Sequence, residues 1–255
     1  MSTSQEPTSQ EPTSQEPTSQ EPEPLVTVAT DPPERPRPGW TEIAVGAVAY
    51  LVLATGFGLV AFVLLAEAPP APVLALVTVA VSGIAAFGAA LLALGVRVRS
   101  WAAIGVRTVS GRWLLVGVAG GVGAWLVNRV IVVSYVLLSG DTSNPQAGLV
   151  PGVTDGAGTL ALMMLLGAVA VPIAEELLFR GVLTTALGRY GAWVAVIASS
   201  LVFALAHGVS IVLPAAFVLG VLNAVMLRRS GSVWPGVVAH GVNNALVFGV
   251  AAIFL

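Results

Sequence analysis

Six ionisable side chains lie inside stretches of this sequence that are otherwise apolar. They are Arg129, Glu175, Glu176, Arg180, His207 and His240, and they include both histidines of the chain. A charge at the centre of a bilayer costs at least about 2.5–3.5 kcal/mol, so such residues pair with one another or face a wet cavity. Carboxylates and imidazoles can move protons, activate water or bind a metal ion. These residues are therefore the first candidates for a functional site.

The segment Glu-Glu-Leu-Leu-Phe-Arg at residues 175–180 gives its two acids different environments. Glu176 and Arg180 stand at i and i+4 with the acid first, which is the favourable order for an intrahelical ion pair. We interpret that pair as structural. Glu175 is rotated by about 100° around the helix and has no such partner. A carboxylate left free in this way can serve as a general base.

Two further motifs supply imidazole and amide groups. Phe203 and His207 are four residues apart, so the ring can pack beside the imidazole and orient it. His240 and Asn244 share a helical face in the same way and can address one point in a helix bundle. The alternatives are a structural role for His207 and, for the second pair, an interhelical hydrogen bond worth about 0.6 kcal/mol. Together with Glu175, the motifs favour one shared site.

Two polar residues near these motifs have no assigned role. Asn243 points to a different helical face from Asn244, and we expect it to be incidental. Arg129 follows Asn128 in the third apolar stretch and can be either a counter-charge or a substrate contact. Both alternatives stay open at the level of sequence.

Composition indicates which elements must carry these residues. Of the 255 residues, 56% are hydrophobic and 9% are charged, and the mean hydropathy is +0.90. A soluble domain has about 25% charged residues, so this chain cannot cover a water-facing surface. The absence of cysteine excludes disulfides and thiolate metal sites. We predict an all-α, polytopic transmembrane helix bundle whose surroundings are the lipid bilayer, with no nucleic-acid partner.

Seven apolar stretches are long enough to be transmembrane helices. They cover residues 43–66, 73–96, 114–138, 159 to beyond 180, 191–207, 211–228 and 234 to the C-terminus. An additional short helix at 181–190 would give eight spans and move the C-terminus to the other side. Arginines follow the second, fourth and sixth stretches but not the first, third or fifth. This alternation predicts a cytoplasmic N-terminal tail.

The chain divides into three predicted parts. Residues 1–39 include four tandem Thr-Ser-Gln-Glu-Pro repeats, in which proline prevents regular helix and no apolar residue is available for a core, so we predict a disordered tail. Residues 40–158 contain the first three spans and a connector at 97–113, whose arginine and tryptophan suit the headgroup region. Residues 159–255 carry the candidate site and form the predicted catalytic core.

The position of a turn tests whether the candidates can meet. Glu175 and His207 are equally far along the chain from Gly191, at the end of a Gly-Arg-Tyr-Gly turn. Antiparallel helices joined at this turn would place the two side chains at a similar depth. The relative depths of His207 and His240 stay open.

The three motifs together resemble those of the CPBP intramembrane proteases, the type II CAAX prenyl endopeptidase or Abi family. That family has Glu-Glu-x-x-x-Arg, then Phe-x-x-x-His, then His-x-x-x-Asn or Asp. In this chain they stand in order as Glu175-Glu176…Arg180, Phe203…His207 and His240…Asn244. The approach to the last motif, residues 229–240, is also similar to the family's. The resemblance covers about residues 159–250.

The resemblance implies a peptidase that acts at the membrane on a membrane-associated protein or peptide. Eukaryotic members remove the C-terminal tripeptide of prenylated proteins, and bacterial members are linked to peptide processing, bacteriocin immunity or scaffolding. Carried over, Glu175 would activate water, His207 would bind or polarise it, and His240 with Asn244 would stabilise the oxyanion. Glu176 and Arg180 would hold the site together. The Ala/Val/Gly-rich sequence favours a bacterial plasma membrane.

Two versions of the chemistry and two other functions compete with this interpretation. The oxyanion can be held by hydrogen-bond donors alone, or Zn²⁺ can sit on His207 and His240 with a carboxylate. Asn244 favours the metal-free version, because amides are poor zinc ligands. The same fold could also serve as a catalytically silent scaffold or immunity protein. A proton-coupled transporter is less favoured, because the sequence shows no internal repeat with matching broken helices.

Overall fold

The computed structural model describes residues 36–65, 69–143 and 145–255. Within them the chain is all-α, without strands, as predicted. The eight helices are α1 (Trp40–Leu64), α2 (Ala71–Val96), α3 (Gly111–Ser139), α4 (Val150–Thr154), α5 (Ala157–Tyr190), α6 (Ala192–Ala206), α7 (Val212–Ser230) and α8 (Trp234–Phe254). Short 3₁₀ turns lie at Trp101–Ile104 and Ala147–Leu149. The Thr-Ser-Gln-Glu-Pro repeats of the predicted tail lie outside the described residues.

Six of these helices are long and apolar enough to cross a membrane, so the chain is an integral membrane protein. They are α1, α2, α3, α5, α7 and α8. The fifth predicted span, 191–207, corresponds to α6, which has only 15 residues and is shorter than the roughly 20 that a span needs. Residues 181–190 continue α5 to Tyr190, so the additional short helix considered there is not a separate element.

The arginine-rich segments meet at one end of the bundle. Arg189, in the turn after α5, donates to the backbone just before α1 at 2.8 Å. Arg97, at the end of α2, donates to both carboxylate oxygens of Glu42 at 3.1 and 2.9 Å. Ser232, just before α8, donates to the carbonyl of Arg107 at 2.8 Å. The segments that the arginine pattern assigns to one side of the membrane therefore do share one end.

The residues immediately before α1 belong to this same end. Pro38 and Gly39, which the sequence assigned to the end of the tail, are both buried. The N–H of Gly39 donates to Glu42 at 2.6 Å, and Trp40 donates to the hydroxyl of Tyr190 at 2.6 Å. The residues just before 40, which the sequence assigned to the tail, therefore pack against the helix bundle.

Helix α5 departs from regular α-geometry around the candidate site. It contains two π-helical segments, Leu166–Ala170 and Glu176–Thr184. Between them lies Pro172, which has no backbone N–H to donate. Such π segments inside α-helices are frequent at functional sites. The sequence analysis predicted an uninterrupted helix here and missed both segments.

Helix α3 packs closely along α8 because glycines remove side chains from their interface. A Cβ atom at Gly117 would lie 2.6 Å from the carbonyl oxygen of Pro235, and one at Gly121 would overlap the carbonyl of Ala239. Small residues allow helix backbones to approach in this way inside membranes. As a result, α3 sits directly beside the helix that carries His240 and Asn244.

Candidate active site

Three helices bring their ionisable side chains to one carboxylate oxygen. Oε2 of Glu175, on α5, lies 4.0 Å from Nε2 of His207 and 3.8 Å from Nε2 of His240. His207 follows the last residue of α6, and His240 lies on the second turn of α8. These distances are too long for direct hydrogen bonds but suit a bridging water molecule. Glu175 and His240 are buried, whereas the His207 side chain is 26% exposed and opens the site.

This convergence answers the two questions of depth that the sequence raised. Glu175 and His207 do meet, as the turn midway between them predicts. His207 and His240 also face the same oxygen of Glu175. His207 reaches it from the C-terminal end of α6, and His240 reaches it from the second turn of α8. The short α6 ends at the site, which places His207 beside Glu175 instead of beyond it.

Hydrogen bonds at the far side of each ring fix the proton positions of the two histidines. Nδ1 of His207 lies 2.9 Å from the carbonyl oxygen of Phe203, and Nδ1 of His240 lies 3.2 Å from Oε1 of Glu176. A carbonyl or carboxylate oxygen can only accept, so this network assigns the hydrogen to Nδ1 in each ring. In the neutral rings both Nε2 lone pairs then face Glu175, and each Nε2 becomes a donor when its ring is protonated.

Glu176 is the centre of a second, fully buried network. It forms the predicted ion pair with Arg180 at 3.1 Å, and both side chains are completely inaccessible to solvent. Its Oε1 accepts from Nδ2 of Asn223 at 2.9 Å as well as from His240. A carboxylate with partners on α5, α7 and α8 fixes the orientation of His240. The prediction that Glu176 and Arg180 form an ion pair is confirmed.

Asn223 is a residue that the sequence analysis missed. It is fully buried in the apolar segment Val-Leu-Asn-Ala of α7, and it has no motif partner at helical spacing. A polar side chain in the middle of a membrane helix usually faces the interior of the bundle. That rule was the available signal, but it does not identify Glu176 as the partner.

Phe203 forms the aromatic wall of the site. Its ring centroid lies 4.6 Å from that of His207, as the helical spacing predicts, and 5.7 Å from that of His240. The guanidinium of Arg180 lies over the same ring at 4.5 Å. This cation–π contact adds a favourable interaction for a charge that is fully buried.

Asn244 lies one helical turn beyond His240, and its amide is hydrogen-bonded on both sides. Nδ2 donates to the carbonyl oxygen of Gly167 at 2.9 Å, and Oδ1 accepts from Asn243 at 3.1 Å. Asn243 is itself buried and accepts from Asn128 on α3 at 3.1 Å. The expectation that Asn243 is incidental is therefore wrong, because it links Asn128 on α3 to Asn244.

Arg129 does not act as a counter-charge for the acids of the site. It is exposed on α3, and its guanidinium lies 5.9 Å from the ring centroid of Trp125. No ion pair involves it within the described part of the chain. The other role considered from sequence, that of a substrate contact, stays a prediction.

The residues that would hold zinc have suitable donor atoms but not the spacing that an ion requires. His207 and His240 can each offer an Nε2 lone pair, and Glu175 offers a carboxylate oxygen. Among the described residues, however, no group of three or more His, Cys, Asp or Glu is arranged to hold a metal ion. In this arrangement the three donors do not fit a zinc ion, and the choice between the zinc and the metal-free versions stays a prediction.

The segment that contains this site matches a known family. Residues 157–246 fit the family described as Type II CAAX prenyl endopeptidase Rce1-like. The chain carries an Rce1-like domain. All of the predicted site residues lie inside it, and the match confirms the CPBP family that the motifs resemble. No curated protein and no solved structure matches the chain.

The Rce1-like domain comprises α5, α6, α7 and most of α8. It therefore contains the whole of the Glu175 and Glu176 networks. The remaining described helices, α1 to α4, lie outside the matched segment. Of these, α3 makes the direct side-chain contact with the Asn243–Asn244 pair through Asn128.

Proposed function

We propose that this protein is an intramembrane endopeptidase that hydrolyses a peptide bond with a water molecule activated by Glu175. The observation that carries the proposal is the approach of two imidazole nitrogens to within 4.0 Å of one Glu175 oxygen. The Rce1-like domain supports it at the level of the family. The substrate class that fits a site among membrane helices is a membrane-associated protein or peptide.

In the proposed reaction a water molecule lies between Glu175 and His207. Glu175 accepts a proton from this water, and the oxygen of the water forms a bond to the carbonyl carbon of the substrate. The carbonyl oxygen becomes an oxyanion, which accepts hydrogen bonds from His240 and Asn244. The tetrahedral intermediate collapses, the C–N bond breaks, and the leaving amine takes the proton from Glu175. The products are a carboxylic acid and an amine.

His240 can donate to the oxyanion only when both of its ring nitrogens carry hydrogen. Nδ1 donates to Glu176, whose negative charge stabilises the imidazolium and leaves the Nε2 hydrogen for the substrate. Arg180 balances the charge of Glu176 within the same buried network. Glu176 and Arg180 therefore act through His240 and do not touch the reacting atoms.

The proposed topology places the arginine-rich end of the bundle on the cytoplasmic side of a bacterial plasma membrane. Arginines after the even-numbered spans and their shared location at one end support this orientation. The tail before α1 would then be cytoplasmic, because Pro38 and Gly39 are buried at this same end.

The test compares membrane-derived peptides in cells that produce the wild type, Glu175→Ala or His240→Ala. We expect the wild type to generate cleavage products that both variants fail to produce, while all three proteins insert equally into the membrane. Asp155→Ala is the matched control, because Asp155 is an exposed acid in the loop before α5. Its products should equal those of the wild type.

Identical products from the wild type and both variants would contradict the proposal. In that case the Rce1-like domain would act as a catalytically silent scaffold or immunity protein. A gain of proton-coupled uptake that depends on Glu175 would instead support a transporter.

A further inference from the structure

We propose that Asn128 and Asn243 are positioning residues that fix the orientation of the Asn244 amide. The inference rests on the proposed function, in which Asn244 donates to the oxyanion. It adds a residue of α3, outside the matched segment 157–246, to the machinery of the site.

The three amides form one chain of hydrogen bonds from α3 to α5. Asn128 donates to Oδ1 of Asn243 at 3.1 Å, and Asn243 donates to Oδ1 of Asn244 at 3.1 Å. Asn244 then donates to the carbonyl oxygen of Gly167 at 2.9 Å. Asn128 and Asn243 are both buried. The chain therefore runs in one direction, with every amide donating toward α5.

Gly167 determines this direction because its carbonyl oxygen can only accept. Turning the amide of Asn244 would place its Oδ1 against that oxygen and its Nδ2 against the Nδ2 of Asn243. Both contacts would then be repulsive. With the observed orientation, Nδ2 has one hydrogen on Gly167 and a second hydrogen left for a ligand. The network thus selects the donor end of Asn244, which is the end that an oxyanion requires.

Pro172 explains why the carbonyl of Gly167 needs a side-chain donor. In the first π segment the N–H of Val171 bonds to the carbonyl of Leu166, five residues back. The next donor in that register would be residue 172, and proline has no N–H. Asn244 supplies the missing hydrogen bond from α8. The irregular geometry of α5 and the orientation of Asn244 are therefore coupled.

Two glycines let the helices come close enough for this arrangement. A Cβ at Gly241 would lie 2.6 Å from the carbonyl oxygen of Ala168, so α8 rests directly on the first π segment. Gly121 allows α3 to approach α8 in the same way. Stability alone is a weak reason for such an arrangement, because interhelical hydrogen bonds in membranes contribute only about 0.6 kcal/mol on average.

The test measures kcat and KM in vesicles for the wild type, Asn128→Asp and Asn128→Leu, on a peptide that the wild type cleaves. An ionised aspartate only accepts, so Asn243 must turn its amide and Asn244 loses its orientation. We expect kcat to fall by about 10- to 100-fold with KM little changed. This loss is smaller than that from removing an oxyanion donor altogether, because Asn244 is still present. Ser134→Ala, exposed on α3, is the control and should leave kcat unchanged.

The pH profile separates positioning from packing. A neutral aspartic acid has an O–H that can donate to Asn243 as the native amide does. The kcat of Asn128→Asp relative to the wild type should therefore recover as the pH falls, whereas Asn128→Leu should stay low at every pH. Dividing by the wild-type profile removes pH effects that do not depend on residue 128.

Two results would overturn the inference. The first is a kcat equal to that of the wild type in both Asn128 variants. The second is a decrease in kcat that is proportional to the loss of thermal stability in both variants and that does not recover at low pH in Asn128→Asp. If Asn128→Leu does not fold, the isosteric Asn128→Asp still decides. An inactive wild type, or an active Glu175→Ala, would instead contradict the proposed function, so the two failures are distinguishable.

Discussion

Charged residues occupy different positions in the two halves of the bundle. One half is the Rce1-like domain, and the other comprises the three long helices before it, α1 to α3. In α5 and α8 the ionisable side chains Glu175, Glu176, Arg180 and His240 are buried away from the helix ends. In α1, α2 and α3 the charged residues lie near helix ends, apart from Arg129, which is exposed. Both halves contain an Arg–Glu pair, but only one of these pairs lies at the site. The comparison shows that both members of the pair at the site are fully buried, whereas the buried Glu42 of α1 pairs with an arginine that stays half-exposed.

The two Arg–Glu pairs allow the largest expected effect to be measured. Replacing Arg180 by leucine leaves Glu176 as an unpaired buried charge, which costs about 3–5 kcal/mol of the free energy of unfolding. Arg97 has a side chain that is 49% exposed, and its partner Glu42 also accepts from the N–H of Gly39, so Arg97→Leu should cost less than Arg180→Leu. Unfolding in detergent micelles measures both values.

A double variant sharpens this result. Removing both charges in Arg180→Leu/Glu176→Leu should recover part of the lost stability, because no unpaired charge then remains. It should not recover cleavage, since His240 loses its Nδ1 partner. Equal destabilisation by the Arg180 and Arg97 single changes would contradict the distinction between the two halves.

A smaller effect is expected when a neutral partner of Glu176 is removed. Asn223→Leu deletes the hydrogen bond to Oε1, and we expect a loss of about 1–3 kcal/mol in unfolding free energy. Cleavage should also decrease, because the same oxygen holds His240. Arg228→Gln, at an exposed position in the last turn of the same helix, is the control for both assays. Unchanged stability and cleavage in Asn223→Leu would show that Arg180 and His240 suffice to hold Glu176.

Properties that depend on local sequence could be predicted. Each of the seven apolar stretches corresponds to a helix, because hydropathy and length determine which segments enter a bilayer. The Glu176–Arg180 and Phe203–His207 contacts follow from helical periodicity. The meeting of Glu175 and His207 follows from the turn that lies midway between them.

Properties that depend on contacts between helices could not be predicted. Asn128 and Asn223 are single amides in apolar helices, and no spacing within one helix identifies their partners on another. The second π segment is held partly by a tertiary contact, since the hydroxyl of Thr184, which donates to the carbonyl of Phe179, is also hydrogen-bonded to the hydroxyl of Ser199 on α6.

The central claim is that Glu175 acts as a base toward water at a site formed by α5, α6 and α8. The most direct test is the kcat of purified Glu175→Gln in vesicles on a peptide that the wild type cleaves. Glutamine keeps the size of the side chain but not its basicity, so kcat should fall by about 10²- to 10⁴-fold while the protein stays folded. A folded Glu175→Gln variant with the kcat of the wild type would contradict the account.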